Sequence, residues 1–192
     1  MLLEKSVGSL PSIGPRFTHI LNKVGIETVK DLIYYFPFRY EDYSQVSEIS
    51  SIQPGEVVTI KGQVLDIKTI YTRRGKKFQL AHISDSTQTI EVIWFNQPFL
   101  VKTFPTGTHV SLSGKVAQKG RKITMVSPKY EKILNTEYKI QNTNTLHTGR
   151  LVPIYPETLG LSSKWLRSKI ATILPLVQNE IEDFLRKRVK GG

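Results

Sequence analysis

VVTIKGQVLDIKTI (57–70), FQLAHIS (78–84), TIEVIWF (89–95), HVSLSGKVA (109–117) and KITMVSP (122–128) are the runs whose reading decides the fold. Each alternates apolar with polar residues, each is rich in β-branched side chains, and Gly or Ser-Asp breaks separate them. That period of two predicts five β-strands. Between the third and fourth runs, NQPFLVKTF (96–104) has room for about two helical turns, with Pro98 near its start.

Five strands with a short helix between the third and fourth match the OB-fold, a five-stranded Greek-key barrel that binds oligonucleotides. Charge supports that choice. The chain has 192 residues, with 27 Lys+Arg against 16 Asp+Glu and a net charge of +11. Residues 1–60 carry −2, 61–132 carry +9 and 133–192 carry +4. Most of the excess therefore lies in the stretch predicted to be the barrel, where it favours phosphate. It concentrates further in the connection TRRGKK (72–77), with Arg73, Arg74, Lys76 and Lys77, and in QKGRK (118–122), with Lys119, Arg121 and Lys122. An SH3-like barrel would also have five strands but predicts no basicity at both of these loops.

Outward from the barrel the period becomes helical. LPSIGPRFTHILNKVGIETVKDLIYYFP (10–37) reads as two short helices joined at Gly25. Pro15 suits the first helical position, Thr28 suits an N-cap, and Pro37 marks the stop. The pair resembles a helix-hairpin-helix, but the local charge is slightly negative and favours packing over phosphate contact. Residues 129–161 read as irregular. A helix over 162–174 follows, then a break or kink at Pro175, and a last helix over about 176–190 with Val177, Ile181, Phe184, Leu185 and Val189 on one face. The expected division is a helical segment at 1–50, an OB-fold core at 51–132, and a linker with C-terminal helices at 133–192.

Composition narrows the chemistry. Without cysteine, disulfides, thiolate zinc sites and Cys nucleophiles are excluded. No run approaches a membrane span, and MLLEKSVGSLPSIG lacks the start of a secretory signal, so the expected location is cytoplasmic. GxxxxGK[ST], GxGxxG and HExxH are all missing. His19, His82, His109 and His147 are scattered, and Asp66, Asp85, Glu91 and Glu131 do not cluster in sequence as a metal-dependent nuclease requires. The expectation is no catalytic residue, no metal and no cofactor in these 192 residues.

An aromatic constellation remains. Trp94, Phe95 and Phe99 flank Asn96 and Gln97 at the end of the third predicted strand. Exposed rings stack on bases for about 1–3 kcal/mol each. Strand alternation sends Trp94 and Phe95 to opposite faces, so one of them points outward; membership of all three in the core is the alternative.

The runs IGPRFTHILNKVGIETVKDLIYYFPFRYED, PGEVVTIKGQV, VIWFNQPFLVKTFPTGTHVSLSGKV, MVSPKYE and LVPIYPETLGLSSKWLRSKI occur in that order. Together they resemble the N-terminal wedge region of the RecG family, bacterial ATP-dependent DNA helicases that act on branched DNA. The resemblance covers most of residues 10–175. It implies an OB-fold wedge that recognises replication forks and Holliday junctions and splits the duplex during repair and recombination. Its stacking pair corresponds here to Phe95 and Phe99, the second being Phe where some members have Tyr. ATP, Mg and the two motor lobes belong to the rest of such a protein; no motor motif occurs in this chain. The other reading is an OB-fold RNA-binding or protein-interaction module that docks through its C-terminal helix.

Overall fold

The computed structural model describes residues 1–73, 75–120, 122–133, 145–158 and 160–190, with side chains described as far as residue 181. The chain divides into two units. One comprises Met1–Tyr40 with Pro153–Gly192, the other Glu41–Val152.

In the second unit, β2 (Val57–Tyr71), β3 (Lys77–Ser84), β4 (Thr89–Phe95), β5 (His109–Lys119), β6 (Lys122–Val126) and β7 (Lys129–Lys132) form one sheet. β2 pairs with β3, β3 with β4, and β5 with β6, all antiparallel; β4 pairs with β6 in parallel. A further antiparallel pairing of β5 with β2 returns the order to its start, so five strands form a closed ring of pairings. The sixth strand, β7, lies against β5 within a stretch expected to be irregular. It forms because Lys129–Lys132 pairs residue by residue with the edge of β5, a long-range partner that local sequence does not reveal. Another strand, β8 (Leu151–Ile154), corrects the same expectation; it pairs with β1 (Arg39–Asp42) in a separate two-stranded sheet.

Alternation fills the interior of the ring. Val58, Ile60 and Val64, Ala81 and Ile83, Ile90, Val92 and Trp94, and Val110, Leu112 and Val116 are all buried. Trp94 donates its indole N–H to the Pro128 carbonyl at 3.1 Å. Tyr130 meets Trp94 and Phe104 edge-on at 6.3 and 5.2 Å, and burial pushes its phenol up from the usual range. Two inward positions hold glycine. A Cβ on Gly62 would lie 2.6 Å from the Ser84 carbonyl oxygen, and one on Gly114 would lie 3.2 Å from Pro128 Cα. Both sit where a long strand changes partner: β2 leaves β5 for β3 at Gln63, and β5 leaves β2 for β6 after Lys115. A register shift between Val64 and Asp66 leaves Leu65 as an extra residue, so the inward set resumes at Ile67.

Carboxylates tie loops to this sheet. The Asp85 carboxylate accepts the Ile49, Thr87 and Gln88 N–H groups and the Thr87 hydroxyl. Burial opposes its ionisation most, but these hydrogen bonds together hold it below the ordinary carboxylate range. Glu131 accepts the N–H groups of Leu146 and His147, both at 2.8 Å, and the Thr148 hydroxyl at 3.0 Å, fixing the return of the chain across β5 and β7.

The first unit is helical. α1 (Pro15–Lys23) starts on Pro15 and is followed by Gly25 at a φ of 81°, as the glycine turn requires. α2 (Val29–Ile33) opens on a capping box between Thr28 and Asp31 and ends short of the expected Pro37. Instead of two C-terminal helices there is one, α4 (Ser163–Lys190), with Pro175 inside it. Ile173 and Val177, one turn apart on either side of the proline, are both buried in the core shared with Leu21, Val29 and Leu32. That packing outweighs the hydrogen bond a helical proline removes. The Glu180 carboxylate accepts the Leu2 and Leu3 N–H groups at 2.7 and 3.0 Å. Phe184, Leu185 and Val189 lie outside the described side chains. Among the described residues no helix is long and apolar enough to cross a membrane.

If inward glycine is what allows β2 to bend, Gly62→Ala should lower stability by about 1–3 kcal/mol, the range for overpacking. Gly114→Ala should cost less, because its nearest neighbour is farther away. Urea unfolding with an unchanged m-value is the measurement; an unaltered Gly62→Ala midpoint would contradict the account.

Candidate nucleic-acid interface

β3 and β4 pair with Phe78 opposite Phe95, so β4 ends beside the hairpin that joins β2 to β3. Alternation decides which aromatics face outward here. Trp94 is fully buried, whereas Phe95 is 53% and Phe99 52% exposed. Phe78 backs Phe95 on the outer face, with ring centroids 6.2 Å apart. Asn96 then takes a left-handed conformation, φ 55°, and the chain turns into α3 (Leu100–Thr103), one turn rather than two. Leu100, fully buried, anchors that turn, and Phe99 stands at its N-terminal boundary.

The cations divide into two groups. Arg73 and Lys76 lie in the β2–β3 hairpin and Lys77 opens β3, so all three are exposed beside Phe95. The second group is at the other end of β4. β6 runs parallel to β4 with Thr124 beside Glu91, which puts the β5–β6 hairpin near the start of β4. Glu91 and Phe95 are four residues apart, roughly 13 Å along a strand. Lys119 and Lys122 are cross-strand partners rather than loop residues, because β5 and β6 continue to a two-residue connection at which Gly120 has a φ of 63°. Arg74 and Arg121 lie outside the described residues.

Lys122 is also already engaged. Its ammonium donates to Glu91 Oε1 at 2.6 Å. That hydrogen bond, and beyond it the neighbouring Lys122, His82 and Lys119 charges, hold the Glu91 carboxyl below its usual range against partial burial. His82 faces Asp66 at 2.9 Å on its other side. The row Asp66, His82, Glu91, Lys122 is therefore a mixed-charge patch, whereas Arg73, Lys76 and Lys77 at the Phe95 end make no ion pair among the described residues. Strand register sets His82 opposite Glu91, a relation that their spacing in the sequence does not show. Phe78, absent from the sequence-derived set, carried the same outward period as Leu80 and His82. On α4, Val177 is fully buried and Ile181 packs against the same core, so these two residues serve the helix's own unit.

By fold the chain is a mostly β domain with flanking helices. Residues 9–177 match the RecG wedge domain, and the chain belongs to that family. The ATP-dependent DNA helicase RecG of Thermotoga maritima is 31% identical over 97% of this chain and 23% of the relative; that of Synechocystis is 28% identical over 88% and 21%. A solved structure of RecG bound to a three-way DNA junction superposes with a TM-score of 0.65 at 28% identity, covering 88% of this chain and 22% of the other. The chain thus spans about a quarter of the length of the curated relatives it matches.

Because both rings are half exposed, Phe95→Ala and Phe99→Ala should each change stability by about 0.5 kcal/mol or less. Trp94→Ala should cost about 3–5 kcal/mol, the range for a buried large aromatic. Thermal unfolding of the three variants separates surface rings from core.

Proposed function

We propose that this chain is the branched-DNA-binding wedge of a RecG-like ATP-dependent DNA helicase, acting in the cytoplasm in DNA repair and recombination. In this reading the closed ring of five strands is the Greek-key barrel of an OB-fold, and residues 51–132 form the wedge core. Residues 1–50 form a helical segment, and residues 133–192 lead towards motor lobes that bind ATP and Mg. Phosphates are held by Arg73, Arg74, Lys76 and Lys77, and at the far end of β4 by Lys119 and Arg121, with Lys122 joining them only when freed from Glu91. Phe95 and Phe99 stack on the bases left unpaired where strands part, at a replication fork or Holliday junction. The motor pulls duplex across the wedge, and the rings and cations keep the strands apart.

The observation that carries this reading is the pair of half-exposed rings flanking a single turn beside a cationic hairpin. Soluble domains normally cover such rings or use them. Phosphate contacts supply affinity without selectivity; unpaired bases offered to stacking rings supply the preference for a branch. The solved RecG relative bound to a three-way junction supports the choice of ligand.

Affinity for a fork and for linear duplex, measured across a salt series, tests this. A branch preference is expected, with affinity falling linearly in the logarithm of salt. Replacing Phe95 and Phe99 together by Ala should weaken fork binding by about 1–3 kcal/mol per lost stack and leave duplex binding unchanged. Equal affinity for fork and duplex in the unsubstituted protein would overturn the wedge role.

Glu91→Gln gives an electrostatic test. Releasing Lys122 from its carboxylate should tighten binding and steepen the salt dependence by about one ion, the increment for one added phosphate contact. An unaltered slope would mean that Lys122 does not meet the backbone even when free.

A further inference from the structure

Gln79 lies on the inward row of β3, between Phe78 and Leu80 on the outer face and directly opposite Trp94. It is fully buried. An aliphatic side chain of similar length would fill that position without an amide to desolvate, and burying an amide without a partner costs about 1–3 kcal/mol by mutational measure. The partners present are specific. Its carbonyl Oε1 accepts the backbone N–H of Gln97 at 2.9 Å, and its Nε2 lies 3.4 Å from the Thr69 hydroxyl on β2.

Gln97 is midway between the two exposed rings, two residues after Phe95 and two before Phe99. β4 has ended at Phe95 and Asn96 takes a left-handed conformation, so this N–H lies beyond the strand ladder and is met by the Gln79 side chain. On its other side, the Gln97 carbonyl accepts the Leu100 N–H at 3.0 Å at the start of α3. The backbone of one residue, Gln97, thus joins the barrel interior, through Gln79, to the helix turn that carries Phe99.

We propose that Gln79 is a positioning residue: its buried amide locks the Asn96–Gln97 turn and thereby sets the separation and tilt of Phe95 and Phe99 for stacking on unpaired bases. The inference rests on the DNA-wedge reading above. A turn held from inside the barrel presents two rings at a fixed spacing, so little ordering remains for DNA to impose. Released, the same rings stay exposed but stack less well. Preference for branched DNA then falls, while phosphate-driven duplex affinity does not change.

The test uses Gln79→Met in the full-length protein, with binding to a fork and to linear duplex as the readouts. Fork-over-duplex preference should fall about fivefold or more, the low end of one stacked base, with duplex affinity unchanged. The same substitution made together with Phe95→Ala and Phe99→Ala should add nothing, because there are no rings left to position. A folded Gln79→Met protein with its preference intact overturns the inference. So does a loss that adds in full to that of the ring substitutions, since that is the mark of general structural damage. If Gln79→Met does not fold, Asn96→Ala decides by the same measures: it strains the turn from the solvent side at a positive φ. An unsubstituted protein with no fork preference removes both proposals; a preference that needs Phe95 and Phe99 but ignores Gln79 removes this one alone.

Discussion

Gly62 and Gly114 let backbone approach closely where two long strands each exchange one partner for another, and the closed pairing of the β unit runs through both positions. A side chain at Gly62 would strike the Ser84 carbonyl oxygen, and one at Gly114 would crowd Pro128. With hydrogen in place of Cβ, β2 pairs with β5 along its first half and β3 along its second. The ring closes, and β6 is brought parallel to β4. Closure also pairs the two outer strands that an open five-stranded sheet would expose to aggregation, leaving β7 as the edge strand.

The electrostatics of the candidate interface follow from that closure. Parallel pairing of β4 with β6 sets Lys122 on Glu91 at one end of β4, while the β2–β3 hairpin and its cations flank Phe95 at the other. A surface that composition describes only as basic thus differs along one strand, from the Lys122–Glu91 pair at one end to cations without an ion pair among the described residues beside Phe95 at the other. Asp85 and Glu131 are occupied with backbone N–H groups, so these acids serve as loop anchors.

Much of this was legible from one-dimensional pattern. The five predicted runs coincide with β2 to β6 to within about two residues at most ends, the usual disagreement between assignments. The opposite fates of Trp94 and Phe95 follow from alternation alone, and Pro15, Gly25 and Thr28 mark α1 and α2 because their backbone chemistry is local. Other features were not legible. β1, β7 and β8 are four-residue segments with little periodicity, and they become strands only because distant chain supplies hydrogen-bond partners. The extra residue at Leu65 leaves composition untouched yet exchanges the faces of everything after it. Pro175 reads locally as a break, but Ile173 and Val177 hold the helix together by packing.

The sequence by itself determined the five longest strands, where cations gather, and that Trp94 and Phe95 face opposite ways, because each depends on neighbours one to four residues away. The tertiary structure decided which loop lies at which end of β4, that Lys122 is spent on Glu91, and that Gln79 reaches the turn between Phe95 and Phe99. Those three depend on strand register and ring closure, which are set by contacts between residues far apart in the chain and leave no periodic trace within it.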